Sequence, residues 1–256
     1  MPVVVTLGEL LVEVMRREVD VPLDRPGVFM GPYPSGAPAI FADAVARLGV
    51  SSGIIGVVGG EPTGEPDDFA KVLLRRLRED GVDVTYVRVL PGYTTGTTFV
   101  CYRSDGSRKF LFHLRHAAAG QLTPEDVKPE YIASAKYLHI MGSALSISKS
   151  SCEACYKAVE IAKENDVKIS FDPNLRPELL TVEQIREICK PVLESTSVLL
   201  PSGEELTMLI GEKDFIKAAR LALDKGVEVV AVKMGKKGSM VITEEEVVKV
   251  PAFKVK

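Results

Sequence analysis

The chain has 256 residues, 46% of them hydrophobic and 26% charged, and carries a net charge of −3. That balance belongs to a globular protein with a full core in one domain, and it excludes the broad basic footprint of a nucleic-acid binder. No apolar run approaches a membrane span, no basic and apolar leader opens the chain, and four cysteines are too few for a disulfide framework, so a cytoplasmic protein without membrane partners is expected.

Taken in order, Val3–Leu7 reads as a first, central strand and Leu10–Met15 as an alternating segment. A stretch punctuated by Pro22, Pro26, Gly31, Pro32 and Pro34 follows, whose form periodicity does not fix. Ala37–Leu48 has helical spacing and stops at Gly49; Gly53–Val58 is a buried strand, and Asp67–Asp80 an amphipathic helix closed by Gly81. Val84–Val89, Thr95–Tyr102 and Lys109–Phe112 are rich in β-branched and aromatic residues, with a hairpin signal at Ser104-Asp105-Gly106-Ser107. Because no helix separates these strands, antiparallel pairing is expected, as a lid on the main body.

From Thr123-Pro124-Glu125, an N-cap followed by proline, strand and helix alternate again. Strands are expected at Tyr137–Met141, Val167–Asp172, Val198–Leu200 and Glu228–Lys233, and helices at Ser148–Asn165, Thr181–Leu193, Ser202–Ile210 and Phe215–Lys225. Ser239–Thr243 and Val247–Val250 form a closing hairpin. The alternation implies a mostly parallel sheet with helices on both faces, an α/β fold in one domain. Lid strands are expected from about 10–34 and 84–112.

Several strand ends carry candidate chemistry. In Ser170-Phe171-Asp172-Pro173-Asn174-Leu175-Arg176 the proline ends the ladder, and Asp172, Asn174 and Arg176 offer acceptors, an amide and a planar donor fork beyond a strand end. The same loop also reads as a self-paired Asp and Arg. Ser35-Gly36-Ala37-Pro38-Ala39 lets a ligand approach a helix start, or is simply a turn that begins a helix. Val232-Lys233-Met234-Gly235-Lys236-Lys237-Gly238-Ser239 could receive polyphosphate or be a solvated basic hairpin; its glycine spacing is not that of a P-loop. Ser202 with Glu204 and Glu205 reads first as an N-cap with an acidic first turn. Cys152 and Cys155 lie within a helix and read as buried thiols, while His113, His116 and His139 lack ligand-spaced partners.

Together these segments resemble the PfkB, ribokinase-like carbohydrate kinase family, in its fructokinase and 2-keto-3-deoxygluconate kinase branch, over essentially the whole chain. Gly8–Glu13 resembles the opening strand, SGAPAIFADAVARLG at 35–49 the first signature, Val58–Gly64 the loop after it, FDPNLRPELL at 171–180 the sugar loop, Ser202–Glu205 the Asn-x-x-Glu motif and VKMGKKGS at 232–239 the nucleotide segment. The resemblance implies a Rossmann-type layered fold with a small β-lid, ATP and Mg²⁺ as cofactors, and transfer of phosphate to a hydroxyl of a ketose or keto-deoxy sugar acid. It further implies substrate contacts from Glu13, Gly36, Arg103, Arg115, Asp172 and Arg176, nucleotide contacts from Asn174, Lys233, Gly235 and Gly238, and a metal role for Glu205. A homodimer through the lid is implied as well.

The departures are Ser35 in place of the first glycine of a pair, Ile40 in place of the signature Asn, and Ser202 in place of the Asn of Asn-x-x-Glu. No Gly-Ala-Gly-Asp segment occurs in the 256 residues, so the family's catalytic Asp is expected beyond Lys256 and the catalytic residue is left unassigned. The other readings are a truncated, non-catalytic sugar-binding homologue and a nucleoside kinase of the same fold.

Overall fold

The computed structural model describes residues 1–175 and 179–254. The strands are β1 (Val4–Leu7), β2 (Leu11–Arg16), β3 (Phe29–Ser35), β4 (Ser52–Gly60), β5 (Val87–Pro91), β6 (Gly96–Tyr102), β7 (Arg108–His113), β8 (Tyr137–Met141), β9 (Lys168–Asp172), β10 (Val198–Leu199), β11 (Val229–Lys233), β12 (Ser239–Ile242) and β13 (Val247–Val250). The α-helices are α1 (Ala37–Arg47), α2 (Asp68–Glu79), α3 (Pro129–Ala133), α4 (Gly142–Ile147), α5 (Lys149–Glu164), α6 (Val182–Leu193), α7 (Gly203–Ile210) and α8 (Phe215–Leu223).

Nine strands form one sheet in the order β13-β12-β11-β10-β9-β8-β1-β4-β5, parallel from β11 through β5, with β12 and β13 antiparallel at one end. Alternation along β4 shows why both faces are covered. Ile55 and Val57 join the core that includes Leu138, Ile140 and the buried side of α5, whereas Ile54 and Val58 join Ala39, Ala42, Leu73 and Leu77 of α1 and α2. A strand apolar at every position thus feeds two helical layers. No described helix is long and apolar enough to cross a membrane.

The small sheet runs β3-β2-β6-β7. One expectation for it needs correction. The segment expected at Val84–Val89 is β5, which pairs in parallel with β4 at the edge of the large sheet and not with the lid. β6 and β7 are antiparallel as a hairpin should be, but β2 pairs in parallel with β6, because the chain between them passes through the whole of the first helical layer. The proline-punctuated stretch ends in β3, which tolerates Pro32 and Pro34 because it lies at a sheet edge, where a missing N–H costs no ladder bond. α4, a six-residue helix directly after β8, was not legible as a separate element.

Candidate functional site

The start of α1 faces the small sheet across a hollow of about 340 Å³. The crossing is close because of Gly36, the residue before α1, at φ 108°: a Cβ there would stand 2.4 Å from the Glu9 carbonyl oxygen. Only glycine lets the helix start lie against the turn from β1 to β2, a steric reason for the small residues at this point. Gly36, Ile40 and Phe41 form one wall and Ser143 and Ile147 of α4 continue it; Glu13, Thr98, Arg108, Phe110 and Phe112 come from the small sheet, and Asn174 closes the end.

Two polar atoms here lack a partner among the described residues. Ser143 is 3% exposed and its Oγ has none; Asn174, at φ 36°, has a buried Oδ1 with none. Buried polar atoms facing a cavity are matched by what enters it. Glu13 sits opposite. Burial raises its carboxyl pKa above the ordinary value and the Arg108 guanidinium works against that rise. Below the wall, His139 stacks on Phe41 with ring centroids 3.5 Å apart, and its Nδ1 lies 3.0 Å from Ser170 Oγ. Burial, helped by the Lys233 charge, pushes its pKa down to about 3, so it packs as a neutral ring.

Asp172 ends β9 and links this hollow to a second one. Its Oδ1 accepts from the Asn174 backbone N–H at 3.1 Å, and its Oδ2 accepts from Lys233 Nζ at 2.5 Å. Burial raises its pKa and the lysine offsets part of that. Lys233 in turn lines an open hollow of about 700 Å³ with Lys237, Lys249, Gly235 and the start of α7 at Ser202, Gly203 and Glu204. At that helix start Ser202 Oγ accepts from Glu205 N and Glu205 Oε2 accepts from Ser202 N at 2.6 Å, a reciprocal cap. Glu205 Oε1 also accepts from Leu175 N at 3.1 Å, which ties the loop carrying Asn174 to α7.

The hollow under the small sheet therefore gathers Glu13, Gly36 and Asn174, with Asp172 beside them; Asn174 falls on this side and not with the lysines. Lys233 and Gly235 line the second hollow. Gly238 does not: at φ 91° it packs under the Val250 carbonyl, where a Cβ would come within 1.9 Å, so it serves the closing hairpin. Arg103 sits in the β6–β7 turn, its N–H donating to the Ser107 carbonyl, and is no part of the first hollow. Arg115 donates through Nε to the Ile147 carbonyl and lines a separate depression behind α4. Arg176 lies outside the described residues. Each Glu205 oxygen accepts one backbone amide, Oε1 from Leu175 and Oε2 from Ser202.

Arg108, Phe110, Phe112 and Ser143 were missed in the sequence. The alternation Arg108, Phe110, Phe112, Leu114 was the available signal: once β7 is placed as a strand over a cavity, these residues share its inner face. Ser143 gave none, because its burial follows from α4.

Residues 1–256 match the model of the pfkB family carbohydrate kinases. The chain belongs to that family. This pfkB kinase is 32% identical over 257 aligned positions to fructokinase-2 of Solanum lycopersicum, spanning 99% of this chain and 75% of the relative. It is 34% identical over 221 positions to the fructokinase of Klebsiella pneumoniae, spanning 86% and 69%. An E. coli protein assigned as a ribokinase II, crystallised with ATP and Mg²⁺, superposes with a TM-score of 0.89 at 40% identity, covering 100% of this chain and 80% of that one. The relatives place this pfkB kinase among the phosphotransferases, as a sugar kinase of the fructokinase type.

Proposed function

We propose that this kinase phosphorylates a hydroxyl of a neutral ketose of the fructose type, held in the hollow under the small sheet, with the phosphates of ATP received in the lysine-lined hollow. The observation that carries the reading is the Asp172–Lys233 pair, which joins the end of one hollow to the wall of the other. Glu13 accepts hydrogen bonds from sugar hydroxyls, Arg108 donates to them, and Ser143 Oγ and Asn174 Oδ1, which have no partner among the described residues, gain one. Among the described residues of this hollow, Arg108 is the one cation against Glu9 and Glu13, a balance that favours hydroxyls over the carboxylate of a keto-deoxy acid.

The second hollow fits a polyphosphate: Lys233, Lys237 and Lys249 converge on it, opposed by Glu204. ATP, when bound there, supplies the phosphoryl group. A magnesium ion fits as one held chiefly through phosphate oxygens and water, the ordinary way this ion is bound in kinases. Glu205 then acts by holding Leu175 and Ser202 in place. The positive side chains act through position and charge neutralisation at the transferred group.

Calorimetric titration of the chain with fructose and with 2-keto-3-deoxygluconate, beside its Glu13→Gln variant, tests this. Fructose should bind more tightly than the acid, and the variant should lose about tenfold in fructose affinity. Sugar binding indifferent to Glu13 would remove the ligand from this hollow. On the small sheet, exposed Met30, Tyr33 and Leu111 support pairing of two copies through the lid, a reading that sedimentation as a monomer at micromolar concentration would overturn.

A further inference from the structure

Ile40 stands in the first turn of α1 with 54% of its surface exposed. An exposed isoleucine alone is unremarked surface. This one lines two hollows at once. On one side is the cavity holding Glu13 and Asn174; on the other is a hollow of about 280 Å³ between β3, α1 and α2. Ser35 is the other residue common to both.

The far hollow is walled by Tyr33, Pro34, Leu73 and Leu77. Its charged groups face each other: Arg76 Nε lies 3.8 Å from Asp43 Oδ1 and also pairs with Asp80. What remains for a ligand is chiefly apolar wall. On the near side, Ile40 shares the cavity with Ala44 and with Phe110 and Phe112, whose rings stack with centroids 5.4 Å apart and an interplanar angle of 12°. The polar groups, Glu13, Ser143 and Asn174, belong to the near cavity alone. A hydroxyl placed over Ile40 would give up water with little to replace it, whereas a hydrocarbon or aromatic group would gain by burial.

We propose that the substrate is a sugar bearing an apolar substituent, its hydroxylated part against Glu13, Ser143 and Asn174 and its apolar end passing over Ile40 toward the far hollow. Ile40 is then a specificity-determining residue of this kinase. The inference rests on the sugar reading of the near cavity given above.

The test is calorimetry with fructose, methyl β-fructofuranoside and phenyl β-fructofuranoside on the wild-type chain, Ile40→Asn and Ile40→Val. Affinity should rise in that order of ligands, by about tenfold from fructose to the phenyl glycoside. Ile40→Asn should abolish the gain, read as the ratio of phenyl-glycoside to fructose affinity within each variant, and Ile40→Val should keep most of it; the side chain is exposed, so both variants should melt near the wild type. If fructose binds but the phenyl group adds nothing, or Ile40→Asn leaves the ratio unchanged, the proposal falls and the sugar reading stands. If none of the three binds, the sugar reading falls and takes the proposal with it.

Discussion

The two hollows of this kinase are made by opposite means. Under the small sheet, a close backbone approach at Gly36, a left-handed Asn174 and a buried Ser143 fix polar atoms before any ligand arrives. Beside the β11–β12 hairpin the hollow is open, and its character comes from lysine side chains such as Lys233, whose side chain is 48% exposed. The difference suits the ligands proposed for the two hollows. A neutral sugar is told from water only by placed hydrogen-bond partners, which must be preorganised, whereas a polyphosphate is attracted by charge that tolerates movement.

The largest expected effect breaks the rigid half. Gly36→Val puts side-chain atoms where a Cβ already stands 2.4 Å from the Glu9 carbonyl, at a φ of 108°. Sugar binding should fall by roughly a hundredfold or more and stability by about 2–4 kcal/mol, read by calorimetry and urea unfolding. A variant that binds fructose normally would show that the helix start does not shape the site. Next in size is a contrast within the lid. Arg108→Ala should weaken fructose about tenfold, because the guanidinium faces the cavity, while Arg103→Ala at the hairpin turn should stay within about twofold. Equal losses at both positions would undo the assignment of the inner face of β7.

The smallest effect concerns the junction between the halves. Burial raises the folded pKa of Asp172 above its ordinary value, with Lys233 opposing. A raised carboxyl pKa means that the native state holds this proton more tightly than the unfolded chain. The contribution of the group to stability is then complete below pH 3.8 and is lost as pH climbs through its folded pKa. Relative to Asp172→Asn, the wild type should therefore lose unfolding free energy as pH rises out of the acid range. A difference between the two proteins that is flat with pH would show that Asp172 is not strained by its burial.

Much of the fold was legible because its signals are local and periodic. The buried runs at Val3–Leu7, Gly53–Val58 and Tyr137–Met141, the proline and glycine stops, and Ser202 as a cap all became what their chemistry predicts. β5 was misplaced because a β-branched run says that a segment is a strand, not which neighbour it pairs with. Gly36 and Glu13 were named in the sequence and do line one hollow; Asn174 was named too but expected with the lysines, and the arginines were read less well. The sequence pointed to Arg103 and Arg115 and passed over Arg108; only the pleat of β7 and the packing of α4 show that Arg108 is the one lining the hollow.

The carboxylate of Glu205 grips the amides of Leu175 and Ser202 together. It works as a leash: a tilt of the α7 tip beneath the lysines would tug on the segment that presents Asn174. Filling either chamber should then be felt in the other, as a shift in one titration when the second ligand is already aboard.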